Sequence, residues 1–344
     1  MTARVAIVAS LSPSGEQGGA ERFFAGLCEA LRDAGLNAEI LEVYNNESDF
    51  EQIKKSYLRF YDLDLARFDG IISSKAPSYV AQHSNHVCYL MHTIRVFYDM
   101  FDSTFRQPTP EILKQRSLIH ALDTAALRRP RRLFAIGREV AERLHRFNGL
   151  NATVMRHPSP LAGLHAGAYE YFFLPGRLHR WKRPHLAIEA MRIVMADCKL
   201  IVAGTGEDEA RYRQLGAGDR RIRFVGRVSD AELADLYAGA LAVIFTPQNE
   251  DLGLVTLEAF RSGKPVITCT DSGEPARIVE DGISGIVCQP EAAALAAAME
   301  HLARHPDRAR QMGQAAAASI ADLTWTKIAA NLRNALGFGD MAAQ

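Results

Sequence analysis

The stretch Gln248-Asn-Glu250-Asp-Leu-Gly253-Leu-Val-Thr-Leu-Glu258-Ala-Phe-Arg-Ser-Gly-Lys-Pro-Val-Ile267 decides how the rest of the chain is read. It follows an apolar run at 241–245, runs through a helical pattern ending at Gly263, and leads into a second apolar run at 266–269. In one continuous helix Glu250 and Glu258 would be offset in angle and about 12 Å apart along the axis. Gly253 instead permits a loop to bend before the helix begins, so each carboxylate can reach a different part of a ligand. The unpaired N–H groups near Gly253, Leu254 and Val255 then form a helix N-terminus suited to an anion. Two carboxylates for hydroxyls and a helix end for phosphate are the requirements of a nucleotide-sugar site. Glutamates in a first helical turn are also common simply because they suit its dipole. The order strand, Glu, Asp, Gly, helix, Glu is what makes the segment specific.

Outward from this stretch, short apolar runs alternate with helical patterns. Residues 5–9, 38–43, 71–73, 87–91 and 133–136 read as buried strands, with helices over about 20–35 and 139–147. Residues 46–68 are charged and aromatic and read as helical. Periodicity gives way to proline and glycine in His157-Pro-Ser-Pro-Leu-Ala-Gly-Leu-His-Ala-Gly167, then restarts. Strands are expected at 171–174, 200–203, 222–225, 241–245 and 266–269, and helices at 184–195 and 291–320. Ser229-Asp-Ala-Glu232 is a capping box opening a helix with Leu233, Leu236, Tyr237 and Ala240 on one face. The alternation predicts an α/β chain with two doubly wound parallel sheets facing across a cleft, ligands lying at the strands' C-terminal ends.

Five segments at such ends carry candidate chemistry. In Gly176-Arg177-Leu-His-Arg-Trp-Lys182 a planar guanidinium and a mobile ammonium follow a strand, a pairing able to neutralise a diphosphate without a metal. A solvated basic loop is the plain alternative, since Arg180 and Arg183 lie alongside. Gly204-Thr-Gly206 and Gly226-Arg227-Val228 also follow strands, where glycine most often just makes a turn. In the first half, Ser14-Gly-Glu-Gln-Gly18-Gly19-Ala20-Glu21-Arg22 joins strand to helix and lets backbone N–H groups approach a ligand, although its spacing is not the dinucleotide fingerprint. His92 ends a strand in His92-Thr-Ile-Arg95-Val-Phe-Tyr98-Asp99, where a core histidine is the plain reading.

Composition fits a soluble globular protein of two domains. Of 344 residues, 48% are hydrophobic and 23% charged. The 40 basic and 40 acidic side chains cancel, which argues against nucleic acid as a partner. The first residues lack a secretory apolar region, and no run approaches the length of a transmembrane helix, so a cytoplasmic location is expected. Five scattered cysteines suit neither a zinc site nor a disulfide framework.

The segment 248–267, the Gly-Arg-then-Lys loop and the Gly-Gly-Ala-Glu-Arg loop together resemble the family-4 retaining glycosyltransferases of GT-B fold, whose motif is two glutamates separated by seven residues. The resemblance spans nearly the whole chain and is strongest over 171–287. It implies an N-terminal acceptor-side domain at 1–165, a nucleotide-sugar domain at 166–322, and a helix at 323–344 crossing back to the first domain. It implies that Arg177 and Lys182 grip the diphosphate, Glu258 the ribose and Glu250 the transferred sugar. Gly18, Gly19, Gly204, Arg227, Val228, Asp251, Gly253, Leu254 and Val255 would surround the donor, Val228 contacting the base through its backbone. His92 matches the cleft histidine expected near the sugar's 6-hydroxyl, in a segment similar to one found in bacterial mannosyltransferases. That segment is one residue shorter here and lacks a proline. Thr256 stands where the family often has proline, and Gly137 where it commonly has serine.

The implied activity is metal-independent, retaining transfer of a hexose, with no cofactor. GDP-mannose is favoured as donor and a UDP-sugar comes second. The acceptor is expected to be a glycan or a lipid-linked intermediate of surface polysaccharide assembly. Arg128-Arg-Pro-Arg-Arg132 and Arg143-Leu-His-Arg146 read as solvated faces or as a peripheral contact with anionic lipid at the inner membrane face. A nicotinamide-dependent oxidoreductase would need the missing glycine fingerprint with an acidic residue about twenty positions on. A nucleotide-binding pseudoenzyme or scaffold would not need Arg177, Lys182, Glu250 and Glu258 together.

Overall fold

The computed structural model of the chain describes residues 2–11 and 19–339. Two compact units divide it, one of residues 1–158 and 323–344, the other of residues 159–322. The first boundary thus lies at Pro158, before the expected 165, because residues 159–167 already pack with the second unit. Leu161 belongs to that unit's core, and a Cβ on Gly167 would sit 3.1 Å from that of Ala238.

The first unit holds a parallel sheet of β1 (Arg4–Leu11), β2 (Asn37–Tyr44), β3 (Gly70–Ser73), β4 (His86–Leu90), β5 (Arg132–Ala135) and β6 (Thr153–Val154), in the order β2-β1-β3-β4-β5-β6. Its central strands are buried on both faces, which is why each reads as an unbroken apolar run in the sequence. The final helix, Trp325–Ala335, belongs here. Its Trp325 stacks on His157 at 5.4 Å between ring centroids, and the tight fit over Gly26 leaves no room for a larger residue there without a shift. Asn85 Nδ2 donates to the Leu336 carbonyl at 2.9 Å just beyond.

The second unit holds β7 (Tyr171–Pro175), β8 (Leu200–Ala203), β9 (Ile222–Gly226), β10 (Ala240–Ile244), β11 (Val266–Cys269) and β12 (Gly285–Cys288), again all parallel, in the order β12-β11-β10-β7-β8-β9. Counted within the unit, this is the doubly wound order in which the chain winds one way from the first strand and the other way from the fourth. The reversal falls between β7 and β10. Loops leaving their C-terminal ends diverge to opposite faces and open a crevice at that point.

Two expected helices need correction. The helix expected at 184–195 ends at Met191, followed by a turn. The long helix at 291–320 is two helices, Ala292–Arg304 and Pro306–Ser319, because Pro306 has no N–H and cannot continue the first. Strand β12 and the helix Pro110–Leu127 were not anticipated.

Candidate active site

The loop after β7 runs through Gly176 and Arg177 into a short turn, Arg180–Lys182, before the helix Pro184–Met191. The loop after β10 carries Gln248–Glu250 toward the helix Leu254–Arg261. The switch point therefore brings Lys182 and Glu250 together, with Nζ 2.6 Å from Oε2. The ammonium also lies 5.5 Å from the centre of the Phe245 ring. Both side chains are partly open to solvent, so each can exchange its partner for a ligand oxygen or hydroxyl.

Backbone bonds fix Glu250 from both sides. Its N–H donates to Ser272 at 2.9 Å, and Glu274 N–H donates to its carbonyl at 2.9 Å. Asn249, at φ 49°, turns the chain so that its N–H reaches the Asp271 carbonyl, while Gln248 N–H reaches Trp181 on the β7 side. Arg183 completes the frame. Its guanidinium meets both Asp271 carboxylate oxygens at 2.7 and 2.6 Å and donates to the Thr246 and Pro247 carbonyls. One side chain thus ties together the loops after β7, β10 and β11. Sequence reasoning had placed Arg183 in a basic surface run, and no local signal links it to a carboxylate 88 residues away.

Gly253 is the N-cap of the helix Leu254–Arg261 at φ 76°, and a Cβ there would lie 2.6 Å from Pro275 Cγ and 2.8 Å from Phe245 Cε1. Glycine is required on both counts. Leu254 and Val255 supply the first N–H groups of this helix, which have no acceptor four residues back. Thr256 uses the N–H that a proline would lack, donating to the Gly253 carbonyl at 2.9 Å.

Glu258 sits one turn further along and is only 8% exposed. Ser159 Oγ donates to its Oε1 at 2.8 Å and Tyr237 Oη to its Oε2 at 2.6 Å. Each carboxylate oxygen has a second lone pair, so these bonds orient the group without exhausting it. Tyr237 was legible only as one residue on a helix face, and Ser159 only as part of the irregular tract. Both hold a predicted site carboxylate.

Arg177 has a different partner from Lys182. More than half exposed, it forms a forked pair with Glu207, at 3.1 and 2.6 Å, across the loops after β7 and β8. The backbone N–H of Glu207 and the Arg177 guanidinium hold that carboxyl below its ordinary pKa. Gly204, at φ 118°, lets those two loops meet, since a Cβ would run into the Gly176 carbonyl. Its N–H donates to Gly226 at 2.7 Å, which sets Arg227 and Val228 at the end of β9 on the same edge of the sheet. Arg227 is exposed, whereas Val228 and Asp251 are half-buried.

In the first unit, His92 follows β4 and is half-buried, its Nδ1 2.9 Å from the Thr93 carbonyl. Arg95 and Asp99 form an ion pair at 2.7 Å, joined by the buried Arg143, whose Nε is 2.8 Å from Asp99. The carboxylate of Asp99 thus faces two guanidinium groups. Gly19 opens the first helix, Gly19–Asp33, and Gly18 lies outside the described residues.

Two parallel six-stranded sheets with flanking helices are the fold of the GT-B glycosyltransferases. Residues 162–319 match the family model described as "Glycosyl transferases group 1". The match covers nearly the whole of the second unit. D-inositol 3-phosphate glycosyltransferase of Corynebacterium diphtheriae is 31% identical over 176 residues, 47% of this chain and 41% of that protein. The chain spans less than half the length of the curated relatives it matches. Among solved structures, sucrose-phosphate synthase from Thermosynechococcus elongatus superimposes with a TM-score of 0.75 at 19% identity, covering 96% of this chain and 98% of that one. Anabaena HepE in complex with UDP and glucose does so with a TM-score of 0.73 at 17% identity, covering 98% and 100%. Among the described residues, no helix is long and apolar enough to cross a membrane.

Proposed function

We propose that the protein is a retaining glycosyltransferase that moves a hexose from a nucleoside diphosphate sugar to a glycan or lipid-linked acceptor. The observation that carries this reading is the meeting of Lys182, Glu250 and the N-terminus of the helix Leu254–Arg261 at the switch point of a group 1 glycosyl transferase domain. Positive charge for a diphosphate and a carboxylate for sugar hydroxyls lie within one ligand's length. Glu258, held by Ser159 and Tyr237, serves the ribose diol. Arg177 is long and exposed enough to exchange Glu207 for a phosphate oxygen.

In this reading the diphosphate leaves as the glycosidic bond breaks, and charge grows on its oxygens. Lys182, Arg177 and the helix amides stabilise that charge as it develops, which is where stabilisation accelerates the step. The acceptor hydroxyl attacks from the face the diphosphate is leaving, and its proton passes to a departing phosphate oxygen. No divalent cation is needed where two cations and a helix end already face the phosphates. An Asp-x-Asp pair, a carboxylate arrangement able to hold such a cation, does occur at Asp62 and Asp64. It lies in the first unit, where Asp62 caps the helix Phe50–Tyr61 and Asp64 accepts from Ala66 N–H.

GDP-mannose is the donor favoured by the resemblance around His92. A UDP-sugar is the second reading, favoured by the complex of HepE with UDP. Incubation with a panel of nucleotide sugars, with and without chelator, tests the proposal. The expected result is nucleoside diphosphate release from one donor at a chelator-insensitive rate, with the anomeric configuration kept in the product. No release from any donor, release that requires manganese, or an inverted product would overturn the corresponding part.

A further inference from the structure

The first unit carries an open apolar cavity of about 520 Å³ between the helices Phe50–Tyr61 and Pro110–Leu127. That volume is within the range of small-molecule sites, roughly 300–1,000 Å³. Leu58 and Tyr61 wall it on one side and Leu118 and Leu122 on the other, each between 39% and 62% exposed. Singly exposed apolar side chains are ordinary, but four large ones around one cavity mark an interaction surface.

The helical rows that build the walls end in cations. Lys54, Leu58 and Tyr61 share one face of the first helix, and Leu118, Leu122 and Ala125 lead along the second to Arg129. Lys54 pairs with the exposed Glu51, a weak tie, and lies 5.7 Å from the centre of the Phe50 ring. Arg129 donates to the neutral Val80 and Ala126 carbonyls and, among the described residues, pairs with no carboxylate. Arg128 precedes it and Arg131 and Arg132 follow, all exposed. The Tyr57 hydroxyl, the polar group nearest the floor, is committed to Asp123 at 2.6 Å. Little remains inside to orient a polar ligand, so the walls suit a hydrocarbon chain and the rim suits an anionic headgroup.

We propose that this cavity takes one acyl chain of an anionic phospholipid and seats the first unit on a lipid surface. The basic run draws the protein to the negative surface, where each cation contributes modestly and is screened by salt, and the cavity then holds it by burying hydrocarbon. This binding does not depend on the donor chemistry and can be measured without turnover.

Co-flotation of the full chain with vesicles of phosphatidylglycerol and phosphatidylcholine in equal parts, against vesicles of phosphatidylcholine alone, is the test. Binding to the anionic vesicles should be at least about tenfold tighter and should fall with added salt. Leu58→Ser/Leu122→Ser leaves the net charge unchanged and, both sites being exposed, leaves the fold intact by melting temperature. It should lose at least about tenfold in affinity. Equal binding to both vesicle types, or no binding to either, overturns the proposal. Wild-type affinity in the double-serine variant overturns it as well, since surface charge alone would then explain the attachment. Capture of a protein partner on this face by a variant-sensitive contact, without vesicle binding, would also be a failure.

Discussion

Lys182 Nζ and Glu250 Oε2 are 2.6 Å apart, although 68 residues separate them in the chain. Each was assigned a separate part of the donor from the sequence, the ammonium to phosphate and the carboxylate to sugar. Their contact makes the two roles interdependent, since a phosphate oxygen approaching Lys182 competes with Glu250 and releases that carboxylate toward hydroxyls. Donor binding would then assemble the sugar-binding group by displacement.

Glu250→Gln therefore should not weaken free nucleoside diphosphate. Losing the competing charge should leave its affinity equal or slightly tighter, while turnover of the sugar nucleotide falls by at least about 100-fold, or roughly 2.7 kcal/mol. Lys182→Ala should cost about 2–5 kcal/mol in transition-state stabilisation, some 30- to several-thousand-fold in rate. Calorimetry with nucleotide alone and steady-state rates separate the two. A Glu250→Gln protein that binds nucleoside diphosphate tenfold more weakly would show that the carboxylate does not compete with phosphate.

Glu258 and Tyr237 give the complementary pattern. Glu258→Ala removes the carboxylate proposed to hold the ribose and takes away the acceptor that Ser159 and Tyr237 share. Nucleotide affinity and stability should both fall. Tyr237→Phe keeps the carboxylate but frees one oxygen from its orienting bond, at about 1–3 kcal/mol of stability, and should weaken nucleotide only several-fold. If Tyr237→Phe equals Glu258→Ala in nucleotide affinity, the tyrosine itself contacts the nucleotide and the assignment changes.

The division between what the sequence disclosed and what it hid follows from locality. Strands such as β1 and β10 are buried throughout, so they stand out as unbroken apolar runs. Strand β12 closes the edge of its sheet half-exposed, and β6 is only two exposed residues, so neither leaves such a trace. Glu250, Gly253 and Glu258 were legible because loop, turn and helix follow one another within a single motif. The groups that position them come from afar: Arg183 reaches Asp271 across 88 residues, and Ser159 reaches Glu258 across 99. Such pairings are fixed by the winding of the sheet around its switch point, and no residue pattern announces them.

Acid should destabilise the folded chain through two buried histidines. Burial lowers the pKa of His86, beside Ser73, to about 3 and that of His157, beneath Trp325, to about 4. Both titrate near 6.5 when unfolded. A depressed folded pKa means that their contribution is complete above about pH 6.5 and is lost as pH falls toward 4 and 3. Asp123 acts oppositely. Burial raises its pKa to about 6 against hydrogen bonds from Tyr57 and Tyr98, so its contribution is present below the unfolded value and lost as pH rises through 6. Two protons opposed by one leave a net loss of about 2–3 kcal/mol between neutral pH and about pH 5, at roughly 1.4 kcal/mol per pH unit for each unmatched proton. Urea denaturation at both values measures it. His86→Asn, whatever its stability at neutral pH, should show a shallower loss on acidification, and an unchanged slope would remove His86 from the account.

His92 offers the sharpest choice between a binding role and a core role. A carbonyl can only accept, so the 2.9 Å contact with Thr93 places a proton on Nδ1. An imidazole neutral in this tautomer offers Nε2 as the acceptor for a hydrogen bond from a sugar hydroxyl. Such a bond would be made to the transferred sugar and not to the nucleotide, so its loss should register in turnover alone. His92→Ala is expected to bind nucleoside diphosphate as the wild type does and to transfer sugar at least about tenfold more slowly, equivalent to roughly 1.4 kcal/mol. His92→Gln, which keeps an acceptor oxygen, should recover part of that loss with the same donor. A donor lacking its 6-hydroxyl should be turned over equally by wild type and His92→Ala, because the missing group can no longer report on the histidine. Wild-type turnover in His92→Ala, accompanied by a fall in melting temperature, would make it a core histidine and confine the sugar contacts to the second unit.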